Sequence, residues 1–227
     1  MSKEDYLEKY KDYKIPASLK GLIEYSVERD LYLSAGFELE PNNIKYMYES
    51  YSSEKEFTES FICIGSADCM GSEYAFWVNN NNLTNAPIIA FGSEGGYQIV
   101  ANNFDELIRI LTFDTEPMID WDGIEFYKDE DDYEPSENID EFHAWVKANL
   151  GLQIINTSEE INEIISKAQE VHQAELKSFV GQFYEEEIPY NIHKSRTLMQ
   201  LTCNDLTILV LMELKMHLAL IFQGRIV

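Results

Sequence analysis

Residues 61–78 read Phe61-Ile62-Cys63-Ile64-Gly65-Ser66-Ala67-Asp68-Cys69-Met70-Gly71-Ser72-Glu73-Tyr74-Ala75-Phe76-Trp77-Val78, and this stretch decides the fold class. It opens with a short apolar run closed by Gly65 and ends with an aromatic run that stops at the asparagines of 79–82. Aromatic and β-branched residues bounded by Gly and Asn clusters predict strands. Two more apolar runs follow, at 88–91 and 97–101, on either side of Gly92-Ser93-Glu94-Gly95-Gly96. That glycine cluster lacks the spacing of either phosphate-cradling motif and separates two predicted strands, so it reads as a hairpin turn. Successive short strands joined by turns predict an antiparallel meander.

Helices are predicted on both sides of the strands. Residues 3–30 read as helical, with Pro16 at a first-turn position and Leu19, Leu22, Ile23 and Val27 at helical spacing. Residues 31–40 alternate in part, and Pro41-Asn42-Asn43 marks a turn or helix start before 44–51. Asn103 and Glu106 form a capping pair ahead of the stripe Phe104, Leu107, Ile108 and Leu111. Asn138 with Glu141 caps a helix that buries Phe142, Trp145 and Val146 and stops at Gly151. Thr157 with Glu160 caps another, carrying Ile161, Ile164, Ile165, Ala168, Leu176, Phe179 and Phe183. The expectation is an α+β fold, an antiparallel or mixed central sheet with packed helices and a C-terminal helical extension. Residues 1–190 form one domain in this reading, and 191–227 an apolar, strand-like extension.

The chain has 227 residues, 45% hydrophobic and 13% aromatic, enough to bury a core without disulfide or metal staples. Its formal charge of -24, from 41 acidic and 17 basic residues, argues against nucleic acid, whose affinity comes from neutralised phosphates. Anionic membrane surfaces are disfavoured for the same reason. An acidic surface attracts cationic proteins, although the same charge also serves simply to keep a protein in solution. Cys63, Cys69 and Cys203 have no paired or zinc-binding spacing, and Cys63 and Cys69 read as small buried hydrophobes. No apolar leader follows Met1, so the cytoplasm is the expected compartment. The apolar run 206–222 is interrupted by Glu213, Lys215 and His217 at two-residue spacing, which suits a strand better than a membrane span.

Residues 114–141 are acidic, with Lys128 their only basic residue, and read as an exposed loop. The run 129–134 has oxygen ligands but lacks the glycine and terminal glutamate of a calcium loop. His143, His172, His193 and His217 are scattered, so neither a metal nor a cofactor is expected. No nucleophile elbow or triad pattern emerges, and no catalytic residue is assigned. Trp121, in Asp120-Trp121-Asp122-Gly123, is an aromatic among carboxylates and a candidate anchor for a protein partner. The candidate partner-binding set is Trp121, Asp122, Tyr127, Asp129, Asp131, Asp132, Tyr133 and, on the glycine-rich turn, Glu94.

The stretch 61–78, followed by Pro87-Ile88-Ile89-Ala90-Phe91-Gly92 and Asn102-Asn103-Phe104-Asp105-Glu106-Leu107-Ile108, resembles the core of the SUKH superfamily. Ile15-Pro16-Ala17-Ser18-Leu19 is similar to that family's first helix start. The resemblance covers roughly residues 14–114; the acidic loop and the chain beyond Leu150 depart from it. It implies that Gly65, Asp68 and Gly71 shape a turn and do no chemistry. It also implies a non-enzymatic bacterial immunity protein that binds a cognate toxin of a polymorphic toxin system, with a basic nuclease as the expected partner. The alternative it offers is a regulator or scaffold like the fungal cell-wall-synthesis members.

Overall fold

Four strands form the centre of the computed structural model: β1 (Phe61–Ser66), β2 (Glu73–Trp77), β3 (Ile88–Phe91) and β4 (Tyr97–Ala101), paired antiparallel in chain order. The structure describes residues 2–27, 33–40, 45–78, 80–129 and 131–184, all within one compact unit. The fold is α+β, and the sheet is purely antiparallel.

Each strand reads as an unbroken apolar run because both faces of the sheet are covered. Ile64, Tyr74, Phe76, Ile88, Ala90 and Val100 face one core, shared with α2 (Ala17–Val27), α4 (Phe104–Leu111) and α5 (Ile139–Trp145). Phe61, Cys63, Ala75, Trp77, Ile89, Phe91, Tyr97 and Ile99 face the other. That second core is closed by Tyr48 and Tyr51, by Phe57 of the short α3 (Lys55–Thr58), and by Ala168, Leu176 and Val180 of α6 (Ser158–Val180). The alternation that period two demands is present, but it runs between two apolar environments.

The β1–β2 connection is a shaped turn. Asp68 Oδ1 accepts from the N–H groups of Met70 (2.8 Å) and Ser72 (2.9 Å), and Gly71 sits at φ 101°. Gly65 lies where the backbone of Leu39 bridges the edge of β1; a Cβ there would stand 2.2 Å from the Glu38 carbonyl oxygen. Cys63 is buried, but Cys69 is exposed, because it follows Asp68 out onto the turn.

Several expectations need correcting. The first helical stretch is broken: α1 (Lys3–Leu7) runs into a 3-10 turn at Glu8–Tyr10, and α2 begins only after Pro16, whose preceding residue is driven from helical angles. Residues 33–40 make isolated bridges only, and Met47–Ser50 is a 3-10 turn. The cap pairs hold in modified form. Asn103 and Thr157 accept from Glu106 N–H and Glu160 N–H, but the glutamates reach back one residue further, to Asn102 N–H and Asn156 N–H. Asn138 makes no side-chain cap, and α5 ends in a π-helical turn (Val146–Leu150) before Gly151 at φ 65°. Trp145 is only partly buried, packed on Tyr25 and Phe142.

The C-terminal helix is no appendage. α6 runs past the β4 edge, placing Ile161, Ile164 and Ile165 in the first core and Ala168, Leu176 and Val180 in the second. The acidic stretch is not a plain exposed loop either. It holds a second sheet, β5 (Pro117–Ile119) paired with β6 (Ile124–Phe126). The expectations for 28–32, 41–44 and 191–227, including the strand-like run 206–222, lie outside the described residues. Among the described residues no helix is long and apolar enough to cross a membrane.

Candidate protein-binding face

The β5–β6 hairpin organises the acidic stretch. Pro117, Ile124 and Phe126 turn inward, and Met118 and Glu125 stand opposite each other on the outer face. Its turn is fastened by Asp120, whose Oδ1 accepts from the N–H groups of Asp122 and Gly123, both at 2.8 Å. The hairpin rests on the glycine-rich β3–β4 turn through backbone. A Cβ on Gly96 would meet the Asp120 carbonyl carbon at 2.2 Å, and one on Gly92 the Ile119 carbonyl oxygen at 3.0 Å. Gln98 Nε2 donates to the Asp120 carbonyl at 2.9 Å, completing the attachment.

Trp121 therefore lies against Gly95, so the structure brings Trp121 and its neighbour Asp122 to the turn that carries Glu94. The indole is not the free anchor that the sequence suggested. It stacks on Tyr184 (5.8 Å, 7° between planes) and meets Tyr51 and Tyr97 edge-on at 6.0 and 5.9 Å. It is still 38% exposed, and Met118 (60%) and Tyr127 (68%) are more so.

The rest of the predicted set sits in the chain leaving β6. Asp129 Oδ1 accepts from Asp131 N–H, and the Asp129 carbonyl accepts from Asp132 and Tyr133 N–H, so Asp129 starts a tight turn that exposes Asp131 and Asp132. Tyr133 turns back into the protein: its hydroxyl donates to Asp114 Oδ2 at 2.6 Å, and Lys128 Nζ lies 3.6 Å from its ring centroid. Tyr133 is thus half-buried and ties the turn to Asp114.

Asp114 is the hub that holds this stretch down. It is buried at φ 59°, a left-handed conformation that Asp and Asn tolerate better than most residues. Its carboxylate accepts from Ala35 N–H, Ser136 N–H, Ser136 Oγ and Tyr133 Oη. Burial pushes its pKa up, but these donors, Ser136 and Tyr133 foremost, outweigh that and hold it below the ordinary value. Sequence reading missed Asp114, Met118 and Glu125. The hairpin was visible in principle, since Asp122-Gly123 separates two short runs of inward apolar residues.

A second group of perturbed side chains lies at the β1 edge, where Glu73 lines a cleft of about 420 Å³ with Glu40, Lys45, Tyr46 and Ser72, and Lys9 lines an adjoining one that shares Tyr46 and Cys63. Glu73 accepts from Met47 N–H at 2.8 Å, and burial, with Glu40 and Glu49 nearby, raises its pKa to about 7. Lys9 Nζ donates to the carbonyls of Glu40 and Cys63, and burial pulls its pKa down to about 8. Such shifts also mark functional sites. Here both groups serve backbone: Lys9 ties the Glu38–Glu40 segment to β1, and Glu73 anchors the 3-10 turn.

No family model, no curated protein and no solved structure matches this chain.

Proposed function

We propose that this chain is a non-enzymatic protein-binding module, an immunity protein that neutralises a cognate basic toxin, a nuclease domain, by laying its acidic hairpin face over the toxin's cleft. One observation carries the reading. Of the five exposed large hydrophobic side chains among the described residues, three, Met118, Trp121 and Tyr127, stand in the 114–141 stretch, where 13 of 28 residues are acidic. Carboxylates steer a cationic partner and raise its association rate, while desolvated apolar side chains slow its departure. A face that combines both suits binding without chemistry. The SUKH resemblance of residues 14–114 supports the immunity role, and the cytoplasm is the setting in which free thiols such as Cys69 persist.

The test uses the basic protein that the tagged chain captures from its native host. Asp129→Asn, Asp131→Asn and Asp132→Asn together should slow association several-fold and flatten its salt dependence, and Trp121→Ala should mainly speed dissociation. Unchanged rates and an unchanged salt slope overturn the assignment of this face. A captured partner with no toxic activity points to the regulatory or scaffold role instead.

A further inference from the structure

We infer that Trp121 is the seat for an arginine side chain of the partner, its guanidinium held against the exposed part of the indole between Glu94, Asp120 and Asp122. This rests on the proposed binding role and names the chemistry recognised.

The indole is fixed before any partner arrives. Tyr184 stacks on it, Tyr51 and Tyr97 pack steeply inclined to it, and Gly95 leaves no room for it to shift toward the β3–β4 turn. Gln98 Nε2 holds the backbone beneath it through the Asp120 carbonyl. A preorganised ring loses little freedom on binding, and that favours it as an anchor.

Its surroundings select a cation. Glu94, Asp120 and Asp122 are all exposed, and an apolar partner side chain would have to strip water from those carboxylates without replacing it. A cation placed over the ring gains from the ring quadrupole and keeps the carboxylates paired. The chain already uses this contact nearby, where Lys128 of the acidic stretch lies over the rings of Tyr133 and Phe113. Among the described residues no lysine or arginine occupies Trp121 in that way.

Arginine fits better than lysine because its planar, weakly hydrated guanidinium stacks on an aromatic face while its N–H groups bond a carboxylate alongside.

The experiment titrates the isotopically labelled full chain with hexa-arginine and hexa-lysine peptides, following the indole N–H signals of Trp77, Trp121 and Trp145. Hexa-arginine should shift the Trp121 signal selectively and bind about three- to fivefold more tightly than hexa-lysine. Trp121→Leu should remove that margin, and Trp121→Tyr should keep part of it. The comparison of the two peptides on the unaltered chain needs no variant to fold. Equal affinities, or a margin that survives Trp121→Leu, overturn the arginine seat. If both peptides bind equally and the 129, 131 and 132 Asn substitutions weaken both, the seat fails while the acidic docking face stands. If neither peptide binds, the seat fails and the docking face loses its electrostatic basis.

Discussion

Gln173 serves the backbone of Ile99 as a neighbouring strand would. Its Oε1 accepts from the Ile99 N–H at 2.8 Å, and Gln169, one turn earlier on α6, donates from Nε2 to the Ile99 carbonyl at 3.2 Å. Gln173 Nε2 also reaches the Tyr97 carbonyl. β4 is the last strand of the sheet, and an uncovered row of N–H and C=O groups there would invite pairing with another chain. α6 passes this edge on its way from one core to the other, and amide side chains are suited to the crossing because they carry both a donor and an acceptor.

Replacing Gln169 and Gln173 together with Ala removes these three hydrogen bonds and should therefore lower stability by about 3 kcal/mol, roughly 1 kcal/mol for each net of water. It should also produce concentration-dependent association. Urea unfolding measures the first and sedimentation velocity the second. An unchanged unfolding midpoint would show that water replaces the amides at no cost.

Asp114→Asn keeps the shape and tolerates the left-handed backbone, but it replaces one acceptor oxygen with a donor that faces Ser136 and Tyr133. Hydrogen bonds to a charged group are each worth about 1.5–3 kcal/mol, so a loss on the order of 2 kcal/mol is expected. The folded-state pKa of Asp114 lies below its ordinary value of 3.8, so its contribution is present above that pH and is lost as pH falls through the folded value. The gap in unfolding free energy between the two proteins should narrow under strong acid. A gap that does not depend on pH would assign the loss to packing alone.

Glu73 has the opposite sign. Its pKa is raised from 4.5 to about 7, chiefly by burial, so its favourable contribution is complete below about pH 4.5 and is lost as pH rises through 7. Glu73→Gln retains an acceptor for Met47 N–H and removes the buried charge. The variant should be more stable than the parent at pH 8, by on the order of 2 to 3 kcal/mol, and close to it at pH 4. Thermal unfolding at the two pH values decides the matter, and a variant that is less stable at pH 8 would refute the assignment.

The four central strands and the capped starts of α4 and α6 were legible because their signals are local: apolar runs between turn residues, and Asn or Thr three residues before Glu. The acidic stretch was misread because charge density says nothing of where a single carboxylate finds donors. Asp114 is one acid among many in the sequence, and its partners Ala35, Tyr133 and Ser136 come from distant positions. Trp121 shows the same limit. Its place among carboxylates suggested free exposure, whereas Tyr51, Tyr97 and Tyr184 converge on it only in the folded chain. The break between α1 and α2 follows from Pro16, a local signal that outweighs the helical spacing around it.

The backbone seat of the β5–β6 hairpin on Gly92 and Gly96 has a consequence for how such a surface could diversify. Met118, Glu125 and Tyr127 take no part in the attachment, which rests on glycine backbone and the Gln98 amide. Positions 118, 125 and 127 can therefore vary in size, polarity and charge while the frame that presents them stays put, much as a paratope loop varies on a constant framework. On the proposed binding role, recognition could be retuned there a residue at a time without a tax on folding, and the hairpin would serve as a graft site into which a new specificity could be written.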